Sequence, residues 1–112
     1  LKRLTVLLLT ILIALIVIFN FPALAESTDK GAKIFSVHCA GCHVNGGNII
    51  RRNKTLKKKA LQRNQMDSSS AIANIVANGK NNMSAYSDRL TQQEIEAVAA
   101  YVLEQAEKNW QS

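Results

Sequence analysis

The sequence predicts an all-α fold: about four short helices, behind an apolar leader and wrapped around a body the chain itself does not supply. Three observations predict it. Thr91-Gln92-Gln93-Glu94 reads as a reciprocal N-terminal cap, and after it Ile95, Val98, Ala99, Val102 and Ala106 recur at three- and four-residue steps, the mark of one apolar helical face. No segment alternates apolar and polar side chains as a half-buried strand would. With residues 1–25 set aside as a leader, 87 of the 112 residues remain, and Phe35, Tyr86, Tyr101 and Trp110 are their only aromatics. Short helices from so small a chain bury little, so a large flat apolar body is needed to complete the core.

The elements follow in order. Lys2 and Arg3 precede an uncharged run from Leu4 to Ala25, rich in Leu, Ile, Val and Ala. Phe21-Pro22 ends its helix, and Ala23-Leu24-Ala25 before Glu26 is a small-x-small cleavage site. Residues 1–25 are therefore expected to be a signal peptide cleaved after Ala25, and residues 26–112 the exported domain. The rival reading is an uncleaved anchor, since a run this long could span a bilayer. Both put residues 26–112 outside the cytoplasm and leave the positive charge inside. A helix then begins after Ser27 or Thr28 and runs through Ala32, Phe35 and Cys39. Asn45-Gly46-Gly47-Asn48 is a loop. Thr55 caps a weaker helix from Leu56 to about Arg63. Another starts at Ser69 or Ser70, carries Ile72, Ile75 and Val76, and stops at Gly79. Gly79 to Arg89 is a loop, and the capped helix ends at about Lys108.

Apolar residues make up 47% of the chain and charged residues 20%, which is ordinary for a globular protein and argues against disorder. The length excludes a dinucleotide-binding unit joined to a substrate domain, and two cysteines exclude a disulfide-dense scaffold. The charge is lopsided. Residues 26–66 carry nine bases and two acids; residues 67–112 carry three bases and six acids. The bases concentrate in Arg51, Arg52, Lys54, Lys57, Lys58, Lys59 and Arg63. Such a run is a solvated face or a docking patch for an acidic protein surface, which raises on-rates at low salt. Nucleic acid does not fit an exported patch with no aromatic side chains for base stacking.

Cys39-Ala40-Gly41-Cys42-His43 carries the chemistry. The pattern C-x-x-C-H is the attachment sequence of c-type haem. Two thiols three positions apart on a helical turn can each add to a vinyl group of the same porphyrin, and the adjacent His43 can place its imidazole on the iron from that side. A thioredoxin-like C-x-x-C needs a strand before its helix, and a disulfide across two residues is strained. A zinc site would crowd His38, Cys39, Cys42 and His43 into one turn. For the opposite axial position Met66, Met83 and His38 are the candidates. His38 lies about 140° around the helix from His43 and stays on the proximal wall. Met66 reads as a core plug beside the haem. Met83 sits in the Gly79–Arg89 loop and leads, because ligand residues favour loops held by rigid elements. Met/His ligation fills both axial sites and raises the reduction potential, which favours electron transfer over catalysis.

Beyond the haem signature the chain carries Gly31-Ala32-Lys33-Ile34-Phe35, Lys54-Thr55-Leu56-Lys57-Lys58 and Asn78-Gly79-Lys80-Asn81-x-Met83. With Val98-Ala99-Ala100-Tyr101-Val102 and Trp110 near the end, these segments resemble the cytochrome c6 family of cyanobacteria and algae over essentially all of residues 27–110. The resemblance implies a small class I cytochrome c fold around one covalent haem c with its iron. It matches Cys39 and Cys42 to the thioether positions, His43 to the proximal ligand and Met83 to the distal ligand. It implies a carrier in the thylakoid lumen (or periplasm) that takes electrons from the cytochrome b6f complex to photosystem I and can feed a terminal oxidase. A monomer is expected, meeting the membrane only through its leader.

Two positions depart from the family pattern. Ser84 follows Met83 where the family usually has Pro, which leaves the loop less stiff. Ile75 stands where the family commonly has a Gln close to the haem. Members with an aliphatic residue there form a divergent branch, so a lower-potential carrier with another partner is the alternative. A haem redox or gas sensor with a labile distal Met competes with both. Among the other residues, Tyr86 and Tyr101 read as packing, Trp110 as a staple for the last helix, and Asn81 and Asn82 as turn residues.

Overall fold

The computed structural model describes the backbone of residues 1–19 and 22–111, and their side chains except those of residues 18, 19 and 22–26. Among the described residues there are five α-helices and no strand. They are α1 (Lys2–Phe19), α2 (Pro22–His38), α3 (Lys58–Arg63), α4 (Ser69–Asn78) and α5 (Gln92–Glu107), with a 3-10 turn at Val44–Gly46. The expected all-α architecture is thus observed, with α2 to α5 forming the packed body.

α5 is the centre of the fold. Thr91 and Glu94 form the reciprocal cap, the Glu94 N–H donating to Thr91 Oγ1 at 3.2 Å. Its expected face is buried, from Ala99 with no exposure to Ala106 at 5%. Ala97 is buried as well, outside that stripe, because α2 crosses α5 at Gly31. A Cβ at Gly31 would collide with the Ala97 carbonyl and Tyr101 Cβ, so the two backbones touch there. α4 covers α5 with Ile72 and Val76. The Ser68 hydroxyl caps α4 by accepting from the Ala71 N–H at 3.2 Å. At its other end Gly79 takes φ +70° and donates its N–H to the Ile75 carbonyl.

Two helix starts differ from expectation. α2 begins at Pro22 rather than after Ser27 or Thr28. Proline fits a first helical position, and Ala23, Leu24, Ala25 and Glu26 are strong helix formers. α3 begins at Lys58, and Thr55 does not cap it. The chain stays extended through Lys57 because tertiary partners hold Leu56: its N–H donates to the Gly46 carbonyl, and its carbonyl accepts from Trp110 Nε1. Trp110 therefore staples the end of the chain to the body, with its ring 5.1 Å from that of Phe35.

α1 stays outside this core. The described large apolar side chains of α1 are all exposed. Among the described residues no helix is long and apolar enough to cross a membrane. Phe21 and the side chains of the expected cleavage site lie outside the described residues.

Candidate haem cleft

α2 runs out into the C-x-x-C-H turn. The Cys39 and Ala40 N–H groups both reach the Phe35 carbonyl, and the His43 N–H donates to the Cys39 carbonyl at 2.9 Å. The turn places Cys39, Cys42 and His43 along one wall of a cleft of about 270 Å³. Leu56, Leu61, Ile72, Ile75 and Val102 make its floor apolar, and Met66 and Met83 also line it. Every sequence-predicted site residue is thus brought to one cavity.

His43 is oriented by the loop that follows it: its Nδ1 lies 2.8 Å from the Gly47 carbonyl, which can only accept, so Nδ1 donates there, and in the neutral ring the lone pair belongs to Nε2. The sequence reading missed Gly47 in this role, although a Gly-rich loop directly after His43 was the available signal. Both cysteines are free thiols, Cys39 half-buried and Cys42 exposed. Burial pushes the Cys39 thiol up to about 11, so it is neutral and ill suited to thiolate redox exchange. Among the described residues no three His, Cys, Asp or Glu side chains gather to hold a metal ion directly. The residues fit a porphyrin: paired thiols, an imidazole held at Nδ1 by Gly47, an apolar floor and a thioether.

Met83 is set by a tight turn. Lys80 and Met83 exchange backbone hydrogen bonds at 3.0 and 2.9 Å, with Asn81 at φ +54°. Gly79 is needed here, since a Cβ would run into the Met83 carbonyl. Met66 packs against the core from the end of α3. Ile75 is half-buried on the cleft wall. The mouth is shaped by Asn48, whose Oδ1 accepts from the Ile50 and Arg51 N–H groups and whose Nδ2 donates to the Lys54 carbonyl. This turn brings Ile50, Arg51 and Lys54 to the cleft rim, a feature absent from the sequence reading.

Comparison with known proteins agrees with this geometry. The family model described as cytochrome c oxidase, cbb3-type, subunit III matches residues 26–102. A cytochrome c6-like protein of Nostoc sp. (strain PCC 7120) is 70% identical over 89 residues, 80% of each chain. A cytochrome c6 of Synechococcus sp. (strain PCC 6312) is 51% identical over 107 residues, covering 96% of this chain and 95% of that one. The crystal structure of cytochrome c6C from Synechococcus sp. PCC 7002 superposes with a TM-score of 0.69 at 58% identity, over 70% of this chain and 96% of that one. With thiols, imidazole and thioether around one apolar cleft, and with relatives of this likeness along most of its length, the chain belongs to the cytochrome c6 family of electron-carrying c-type cytochromes and binds a c-type haem covalently.

Proposed function

We propose that this chain is a one-electron carrier and not an enzyme, running from the cytochrome b6f complex to photosystem I, or to a terminal oxidase, in the thylakoid lumen or periplasm. In this reading Cys39 and Cys42 hold the haem as thioethers, and His43 and Met83 are the axial ligands. The bound haem supplies the one-electron iron couple. The protein's part is to hold both axial groups in the same place in either oxidation state and to keep water off the iron. The observation that carries the reading is the single cleft with Cys39, Cys42 and a Gly47-oriented His43 beside Met83. The ferric holoprotein is expected to show the long-wavelength charge-transfer band of thioether-bound haem, and the ferrous form to re-reduce flash-oxidised photosystem I. Fast carbon monoxide or peroxide binding without that band would instead mark a sensor or an enzyme.

A second reading, a lower-potential carrier with another partner, has its own support. Ile75 presents an apolar side chain to the cleft, and identity is higher to the c6-like relative than to the named cytochrome c6. A polar amide at this position would interact with the haem surroundings. Ile75→Gln is expected to shift the midpoint by some tens of millivolts, on the scale of one net hydrogen bond of about 0.5–1.5 kcal/mol, given that about 59 mV is tenfold for one electron. Redox titration of the two proteins checks it. An unmoved midpoint removes Ile75 from the account, and a high wild-type midpoint favours photosystem I.

A further inference from the structure

The loop that carries Met83 is tied down almost wholly to its own side of the cleft. Gly79 donates to Ile75, Tyr86 to the Val76 carbonyl at 2.9 Å and Ser87 to the Ala77 carbonyl at 3.2 Å, all in α4. Leu90 and Arg89 close back on the Tyr86 carbonyl. None of these bonds reaches the wall built by α2 and the C-x-x-C-H turn. Tyr86 does. Its hydroxyl donates to the His38 carbonyl at 3.1 Å, one residue before Cys39 and 48 positions away in the chain. The ring is held for that bond from both sides. The Arg89 guanidinium lies 4.2 Å over its centroid, itself anchored by Nη2 donating to the Ala85 carbonyl, and the His38 ring meets it edge-on at 5.6 Å. Tyr86 thus joins the two walls of the cleft, in a loop where Ser84 supplies no proline stiffness.

We infer that Tyr86 is a positioning residue: its hydroxyl latches the Met83 loop to the end of α2 and so resists displacement of Met83 from the iron by outside ligands. The inference rests on the reading of Met83 as the distal ligand, and the experiment separates the two. Ferric wild-type and Tyr86→Phe holoproteins are compared by the thioether charge-transfer band and by the rate at which added cyanide abolishes it. A wild type without the band overturns the Met83 reading and the latch with it. With the band present, Tyr86→Phe is expected to lose it to cyanide about threefold to tenfold faster, the kinetic equivalent of one net hydrogen bond. Tyr101→Phe, which removes the hydroxyl of a tyrosine that does not line this cleft, is expected to leave the rate unchanged. Arg89→Leu, which keeps the hydroxyl but frees the ring, is expected to raise it by a smaller factor. An unchanged rate in Tyr86→Phe overturns the latch, including the case where its melting temperature falls, because that result makes the bond a general structural contact.

Discussion

Gly31 shows how much a single missing side chain decides. The helix crossing that builds this core exists because α2 has no Cβ where it meets the Ala97 carbonyl. Gly31→Ala is expected to cost about 1–3 kcal/mol or more, as overpacked cores do, and to lower the melting temperature of the holoprotein. Gly41→Ala is the control: a Cβ there meets nothing within 4 Å, so it is expected to be neutral or slightly stabilising. Equal melting of the two variants would mean that the crossing is not tight. His43 makes the same point chemically. The residue type was readable, but the Gly47 carbonyl holds its Nδ1, and that bond assigns the lone pair of the neutral ring to Nε2.

At the scale of elements, the basic stretch from Arg51 to Arg63 resolves into parts with different company. Lys58 pairs with Glu107 at 2.9 Å, Lys54 donates to Asn64 Oδ1 and the Arg63 guanidinium to the Asn53 carbonyl. The Lys58 pair is exposed on both sides and contributes little to stability. Arg51 and Arg52 are exposed in the turn held by Asn48, with Arg51 on the cleft rim beside exposed Ile50. A docking surface is thus better sought at the Asn48 turn than along α3. The double change Arg51→Glu with Arg52→Glu is expected to slow electron exchange with an acidic partner, by on the order of tenfold at low salt and less as salt rises. Lys58→Glu is expected to do less. Stopped-flow exchange across ionic strengths measures both, and rates indifferent to the arginines would leave the stretch a solvated face.

At the scale of the whole molecule, the chain divides into an exposed apolar helix and a small body. α1 contributes none of its described side chains to the core, and the family model matches from residue 26 onward. The expectation is a mature protein that begins at Glu26. Intact-mass measurement on material from an exporting cell tests it, and a mass that retains residues 1–25 would make the leader an anchor. Within the body the charge divides along the chain: the basic excess lies in residues 26–66, which carry the C-x-x-C-H turn and the Asn48 turn at the rim, and the acidic excess in residues 67–112.

The sequence by itself determined what near neighbours decide. Helical periodicity, the Thr91 cap, the Gly79 stop and the C-x-x-C-H turn all depend on residues within about one helical turn of each other, where local sequence nearly fixes the geometry. The tertiary structure alone decided what depends on distant partners. Ala97 is buried because Gly31 arrives from another helix, and α3 starts late because Gly46 and Trp110 hold Leu56. Tyr86 becomes a bridge because the end of α2 passes within reach of its hydroxyl. These contacts join residues ten to more than sixty positions apart, and no local pattern records where two such segments meet, because the meeting is set by how the helices pack rather than by either segment's own preference.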